Sequence, residues 1–304
     1  MDDRKKLRLV HYNVKRLEQL DKVVATLEAL KPDAVTLNEV DIGSPENGLS
    51  TLAQKLKLES IHFYGHARNG SYGNAILCRQ GVTVLEKQLN GGTRVTLPSG
   101  IIHHIVRGLL VVQCTESNIF LAVTHLDHIS ESERLIQIDD LLHTSRNFDR
   151  LLISADLNSL TRQDYAQGIH SWTLLEQRNR DKGWTPPIDS TAPGGALHLL
   201  HQKGYIDLAL LASQSTNTPP TMTASSHCPF SGDLCQRIDY IHASPKLANE
   251  ILAVSSFVDT QADGSDHAPL VVDLTLLTTQ SSSSSSHQSA DDNRRQQKRT
   301  ASSS

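Results

Sequence analysis

Between Ala75 and Thr124 the chain lays down five short apolar runs: Ala75 to Cys78, Val82 to Leu89, Ile101 to Val106, Leu109 to Cys114 and Ile119 to Thr124. Turn signals separate most of them, namely Gly91-Gly92, Pro98-Ser99-Gly100 and Ser117-Asn118. Tight turns join antiparallel neighbours. Short runs at regular spacing therefore predict antiparallel sheet, and enough of it to pack as a sandwich.

The flanks carry a different rhythm. Leu7 to Tyr12 alternates like a strand and ends at Asn13. Leu17, Leu20, Val23, Val24, Leu27 and Leu30 follow helical spacing until Pro32 stops the pattern. Asp33 to Leu37 is a second β-like run, ending at Asn38-Glu39. Two strands joined by a helix of this length predict a crossover unit, which puts Asn13 and Glu39 on one sheet edge. A helix is predicted over Ser50 to Leu58 and a strand over Ile61 to Tyr64, before the turn-rich stretch Ala67 to Asn74. Further on, Ser130 and Glu133 form a capping box for a helix with Leu135, Ile138, Leu141 and Leu142 on one face. Leu151 to Ile153 is a buried-strand run that gives way to Asp156 and Asn158, and period-2 spacing points these two the same way. A carboxylate and an amide at a strand end can accept a proton and hold a water or an oxyanion. Beyond them the pattern predicts a helix over Arg162 to Gln177 and a Pro/Gly-rich loop over Gly183 to Gly195. A short apolar run over Tyr205 to Leu211 precedes a loop over Thr216 to Leu234. Strands are predicted over Arg237 to Ala243, Ile251 to Val258 and Leu270 to Leu274.

The formal charge of the 304 residues is −4. The tail from Thr278 holds four basic residues against Asp291 and Asp292, so the body stands at −6. That argues against a large basic footprint for duplex nucleic acid, though not against a local basic groove. Residues 1–277 are assigned to one catalytic domain and 278–304 to a disordered, Ser-rich, charged tail. Within the tail, Arg294 to Arg299 is a weak nuclear-localisation pattern. No apolar run approaches a membrane span, and the N-terminus lacks a signal-peptide apolar region. The four cysteines are irregularly spaced, and Cys78 and Cys114 read as buried thiols. His227-Cys228 with Cys235 matches no standard zinc spacing. These features predict an intracellular protein, cytoplasmic or nuclear.

Polar groups stand beside apolar runs in a fixed order: Asn13, Glu39, His125, Asp156, Asn158, Asp239, Asp266 and His267. Their segments are Val10-His11-Tyr12-Asn13-Val14, Thr36-Leu37-Asn38-Glu39-Val40, Gly73-Asn74-Ala75-Ile76-Leu77, Thr124-His125-Leu126-Asp127-His128, Ser154-Ala155-Asp156-Leu157-Asn158, Arg237-Ile238-Asp239-Tyr240-Ile241 and Ser265-Asp266-His267-Ala268-Pro269. In this order they resemble the endonuclease/exonuclease/phosphatase superfamily, from Leu7 to about Leu274. The resemblance implies an α/β fold, a four-layer α/β/β/α sandwich of two mainly antiparallel sheets. It implies Glu39 as principal Mg²⁺ ligand, with Mn²⁺ as a substitute, Asn13 beside it and Asp266 near the metal or orienting its neighbour. It implies Asp156 as the group that positions or deprotonates the attacking water, and Asn158 as a ligand of that water or of the phosphate. His267, oriented by Asp239, would contact the phosphate, and His125 would stabilise the transition state or help the leaving group. Arg107 and Asn74 also occupy family-like positions, and Asp207 is left between a supporting and a structural role.

The chemistry is coherent without the resemblance. Phosphodiester hydrolysis needs an in-line nucleophile, neutralised non-bridging oxygens and a stabilised leaving oxygen. The expectation is a Mg²⁺-dependent phosphodiesterase or nuclease acting on nucleic-acid phosphodiesters. The alternatives are a phospholipid or sphingolipid head-group phosphodiesterase, an inositol-phosphate-type phosphatase, and a catalytically silent binder of nucleic acid or protein. The low aromatic content, 4%, counts against extended tracking along a single strand.

Overall fold

The crossover unit expected at the N-terminus forms. In the computed structural model, which describes residues 4–43, 48–96, 99–165, 171–181, 186–224 and 235–277, β1 (Arg4–Asn13) and β2 (Ala34–Asp41) are parallel neighbours joined by α1 (Leu20–Leu30). There follow α2 (Gly48–Leu56), β3 (Ser60–Ala67), β4 (Tyr72–Cys78), β5 (Gly81–Gln88), β6 (Arg94–Thr96), β7 (Ile102–His104), β8 (Gly108–Cys114) and β9 (Ile119–His125). Next come α3 (Glu131–Ser145), β10 (Leu151–Asp156), α4 (Trp172–Asp181), α5 (Ala196–Gln202), β11 (Ile206–Asp207) and α6 (Leu208–Thr216). The chain closes with β12 (Asp239–Ala243), α7 (Pro245–Ala248), β13 (Ile251–Val258) and β14 (Leu270–Leu277).

Two six-stranded sheets result, in the orders β13-β14-β1-β2-β4-β3 and β11-β12-β10-β9-β8-β5. Each is antiparallel except for one parallel pair, β1 with β2 and β9 with β10. Alternation along the strands explains the four layers. Leu9, Ile76, Leu110, Val112, Leu121, Leu152 and Val272 fill the space between the sheets. Their neighbours Val10, Val35, Leu37 and Leu77 face outward onto Val23, Leu27, Leu49 and Leu52 of α1 and α2. On the far side, Val111, Ala122, Leu151 and Ile153 meet Ile138, Leu141, Leu197 and Leu200 of α3 and α5. Both faces of each sheet are thus buried, which is the packing of an α/β/β/α sandwich.

Several local expectations need correcting. Arg162 to Gln177 is not one helix: a 3₁₀ turn covers Arg162–Tyr165, α4 runs from Trp172 to Asp181, and 166–170 lie outside the described residues. The loop expected over Gly183 to Gly195 is irregular over its described part, 186–195, and is followed by α5, a helix absent from the sequence reading. The Tyr205 to Leu211 run turns helical because Asp207 caps α6, its carboxylate accepting from the Ala209 and Leu210 N–H groups. Strand β7 is shorter than the run Ile101 to Val106 and pairs only with β6, in a hairpin apart from both large sheets. The capping box is half formed. Ser130 accepts from the Glu133 N–H, but the Glu133 carboxylate accepts from Gly92 N–H, and Asp127 accepts from Ser130 N–H instead. Cys78 and Cys114 are free, buried thiols. The tail 278–304, its basic pattern, and His227 with Cys228 lie outside the described residues. Among the described residues no helix is long and apolar enough to cross a membrane.

Candidate active site

Parallel neighbours end at the same edge of a sheet, and here that rule assembles a site. In the second sheet, Asp156 at the end of β10 is the direct partner of His125 on β9 and of Asp239 on β12. Three chemistry-bearing side chains therefore stand in one row, one strand spacing apart. In the first sheet, Asn13, the last residue of β1, is the partner of Asn38 within β2. The loop before β14 supplies His267, tied through the Ala224–His267 bridge and the Ala268 N–H to Thr223 O bond.

Glu39 reaches the site through a backbone irregularity. Leu37 faces Ala75 and Val40 faces Gly73, so Asn38 and Glu39 together stand opposite Asn74. This is a β-bulge, and Glu39 occupies it at φ 57°. A non-glycine residue in that left-handed region costs about 1–2 kcal/mol, the kind of strain found where a side chain must be aimed. Across from the bulge, a Cβ at Gly73 would lie 1.9 Å from the Tyr64 carbonyl oxygen, so only glycine fits there. The bulge turns Asn38 fully inward. Its Oδ1 accepts from the Asp156 N–H at 2.9 Å and its Nδ2 donates to Asn74 Oδ1 at 2.8 Å. Asn74 in turn donates to Gly108 O at 2.8 Å. These amides bond the two sheets together at the edge that carries the site. Asn38→Ala strands the Asp156 N–H and the Asn74 oxygen; the expected loss is about 1–3 kcal/mol of stability, read as a lowered denaturation midpoint.

The contacts around Asp156 are dense. Its Oδ2 accepts from Asn13 Nδ2 at 3.1 Å and lies 3.4 Å from His125 Nε2 and 3.8 Å from His267 Nε2. Its Oδ1 accepts from the Asn158 N–H. Asn13 Nδ2 also donates to Glu39 Oε1 at 3.2 Å. His267 Nδ1 donates to Asp239 Oδ2 at 2.7 Å. Burial and the neighbouring Asp239 carboxylate push Asp156 up to about 7. Burial alone would also raise Asp239, but the His267 charge and hydrogen bonds from His267 and His11 hold it well below the usual range. Burial opposes the charge on His267, yet the Asp239 carboxylate outweighs it and raises the imidazole to about 10. The pair is thus carboxylate and imidazolium.

His125 differs. It is buried, and burial together with the Arg107 charge keeps it neutral, well below the ordinary histidine value. Asn158, at φ 49°, presents its amide to His125 Nε2 at 3.0 Å and to Leu126 O at 3.1 Å. Asp266 stands apart at the rim, its side chain 55% exposed and 3.5 Å from Lys15 Nζ.

Of the eight residues singled out in the sequence, Asn13, Glu39, His125, Asp156, Asn158, Asp239 and His267 are linked by these contacts, and Asp266 lies beside them. Two further residues belong to the site. His11 is fully buried behind Asp239, Nε2 to Oδ1 3.5 Å, and its Nδ1 meets the Thr36 hydroxyl at 3.1 Å. Strand alternation from Asn13 was the available signal. Arg107 is buried with Nη1 3.4 Å from His125 Nδ1 and Nη2 3.1 Å from His128 Nδ1, and it pairs with no carboxylate among the described residues. Asp207 proves structural: it caps α6 and pairs with Arg237.

The model of the Endonuclease/Exonuclease/phosphatase family matches residues 10–267. No curated protein sequence matches the chain. Among solved structures, an endonuclease/exonuclease/phosphatase from Bacteroides vulgatus superposes with a TM-score of 0.57 at 14% identity, over 90% of this chain and 99% of that one. The human Nocturnin catalytic domain with bound sulfate anion gives 0.55 at 19% identity, over 88% and 93%. A mannosyl-6-phosphatase from Bacteroides thetaiotaomicron gives 0.54 at 14% identity, over 88% and 99%.

Proposed function

This chain belongs to the endonuclease/exonuclease/phosphatase family, and we propose that it is a divalent-metal-dependent phosphodiesterase. The observation that carries the reading is the row His125–Asp156–Asp239, with the His267 imidazolium against both carboxylates. It supplies a base, a hydrogen-bond donor for phosphate oxygen and a fixed cation within one edge.

The donor set suits a hard cation. Glu39, Asp156 and Asp239 crowd negative charge at one place, and Asp156 is raised first by burial and then by the neighbouring carboxylates. Asp156, Asp239 and His267 lie close enough to share an ion, but the Nδ1 proton of His267 already spans to Asp239 at 2.7 Å. The Glu39 carboxylate, 27% exposed, is the better holder of Mg²⁺, with Asn13 beside it and Asp266 reachable from the rim. When bound there, the cation neutralises a phosphate oxygen and the developing leaving-group charge. The chain does the rest. Asp156 takes the proton of the attacking water, which Asn158 helps to hold. The His267 Nε2–H donates to a non-bridging oxygen, and Asp239 fixes the ring. Arg107, which pairs with no carboxylate among the described residues, adds positive charge behind His125.

Two results are expected. Hydrolysis of bis(p-nitrophenyl) phosphate requires added Mg²⁺ or Mn²⁺ and stops with chelator, while the p-nitrophenyl monoester is turned over more slowly. Equal or faster turnover of the monoester, as a sugar phosphatase would give, overturns the diester reading; no turnover of either by folded protein favours a silent binder. Second, saturating divalent cation stabilises the protein. At about 100 times Kd the gain is about 2.7 kcal/mol, or about 5–10 °C in Tm for a domain of this size, and Glu39→Gln removes it.

The pH profile follows from the two shifted groups. Asp156 acts as base only when ionised, so kcat/KM of the metal-loaded protein rises with pH through the ionisation of this group; its raised value is about 7 in the metal-free protein, and bound cation moves the limb to lower pH. His267 must keep its proton, so activity falls as pH passes about 10. In the metal-free protein, where there is no turnover to follow, the Asp156 carboxyl is titrated by carboxyl-carbon NMR, and a midpoint at the ordinary carboxylate value of about 4 contradicts the assignment.

A further inference from the structure

The chain crosses from the first sheet to the second at one sharp corner. Strand β4 ends at Cys78, Arg79 and Gln80 make the bend, and β5 begins at Gly81. Gly81 stands opposite Cys114, the last residue of β8, and the Thr115 N–H donates to Gln80 O at 3.3 Å. A Cβ on Gly81 would lie 2.6 Å from Cys78 Sγ and 3.1 Å from His62 Nε2, so a larger residue would push into this cluster. The Cys78 thiol is hydrogen-bonded to Cys114 and to His62. We infer that Cys78 and Cys114 are an oxidisable pair, which hydrogen peroxide converts to a disulfide fastening the first sheet to the second.

The surroundings differ from those of ordinary core thiols. The His62 ring is held by Thr83, whose hydroxyl meets Nδ1 at 2.7 Å. Its Nε2, with no other partner among the described residues, faces the Cys78 sulfur. The hydrogen bond to Cys114, and after it the one to His62, outweighs burial and holds the Cys78 thiol below the ordinary thiol value. Cys114 is raised, first by its bond to Cys78 and then by burial. One sulfur is thus the nucleophile, and its neighbour is the thiol that resolves the product. Both side chains are buried, yet each is followed by exposed residues, Arg79 and Gln80 after Cys78, and Thr115 and Glu116 after Cys114. The sulfurs lie one layer beneath the surface, within reach of an oxidant as small as peroxide.

The Cys78 sulfur attacks one peroxide oxygen. An S–O bond forms, the O–O bond breaks, and the departing hydroxide takes up the proton that left the thiol, giving water. The Cys114 sulfur then attacks the sulfenic acid: an S–S bond forms, the S–O bond breaks, and hydroxide leaves with the Cys114 proton as a second water. Two thiols are oxidised and one peroxide is reduced. The Asn74 amide already ties β4 near its start to Gly108, the first residue of β8. The disulfide ties the far ends of the same two strands, away from Glu39 and Asp156, and closes a loop over β5 to β8.

The test treats the reduced, folded, full-length protein with hydrogen peroxide at neutral pH, blocks the remaining thiols and maps the peptides by mass. The expected product has lost two hydrogens, joins the Cys78 and Cys114 peptides, and reverts with dithiothreitol. Its Tm should rise by about 5 °C or more. Cys114→Ser should stop at a sulfenic acid on Cys78, captured by dimedone, whereas Cys78→Ser should give no adduct on Cys114. His62→Gln should slow the loss of the two thiols on the order of tenfold. The wild-type map stands whether or not these variants fold. The inference is overturned if Cys78 and Cys114 stay reduced while Cys235 is oxidised, or if disulfides form through Cys228 or Cys235 instead. It is equally overturned if the pair reacts only in urea, or if the linked protein melts no higher than the reduced one.

Discussion

His267→Ala is expected to lower kcat/KM for an aryl phosphodiester on the order of 10³-fold, the scale of removing a proton-transfer or oxyanion group. Two losses combine. The donor to the phosphate oxygen disappears, and so does the cation that holds Asp239 and Asp156 side by side on neighbouring strands. Without it Asp156 rises further and is protonated over more of the neutral range, so the acid limb of the pH profile should move to higher pH as well as the plateau falling. Asp239→Asn should fall less, since the ring stays, and the double variant should be little worse than His267→Ala alone because the pair acts as a unit. Steady-state kinetics across pH, beside circular dichroism to show an intact fold, provides the check. A loss below tenfold, or an unmoved acid limb, would remove His267 from the chemistry.

Arg237→Met is expected to act on stability. The guanidinium is almost fully buried, with Nε 2.7 Å from Asp164 Oδ2 and Nη1 2.8 Å from Asp207 Oδ2, and it lies 4.5 Å from the Tyr240 ring centroid. Its removal leaves two carboxylates in a dry interior, a situation that costs about 3–5 kcal/mol, or about 6–20 °C in Tm. The sign with pH is distinctive. In wild type the Asp207 carboxyl is held low, chiefly by Arg237 against its burial, so its stabilisation is present above the ordinary carboxylate value and lost as pH falls. In the variant both acids lose the guanidinium that offset their burial, and the folded state binds protons more readily than the unfolded one. Its deficit should therefore shrink as pH falls. Denaturant unfolding at several pH values measures this, and a deficit that grows on acidification would refute it.

The sequence was most informative where period and chain order coincide. Leu7 to Asn13, the α1 face and Asp33 to Glu39 sufficed for the crossover unit, because burial of β1 and β2 keeps most of their positions apolar up to the paired Asn13 and Asn38. The same rule located Asp156, His125 and Asp239 one by one. Their registration in a single row needed strand pairing, which no local pattern encodes. The Glu39 bulge was equally silent, since left-handed backbone at a glutamate has no sequence signature comparable to glycine's. His11 looked like any strand residue until Asp239 arrived behind it from 228 positions away. Helices α5 and α6 escaped for a different reason: the first follows a Pro/Gly stretch and is seven residues long, and the second depends on the Asp207 cap rather than on amphipathic contrast.

The topology also fixes an order of events at the ribosome. β1 receives β2 early, but its other neighbour, β14, pairs Leu277 with Arg4 and is the last strand among the described residues. At about 5–20 residues per second, roughly 10–50 s separate the two. For that interval one flank of β1 has no strand to bond, while the whole second sheet is being synthesised. The nascent chain must shield an open strand edge throughout, and Asn13 and His267 can meet only once the loop before β14 has been made.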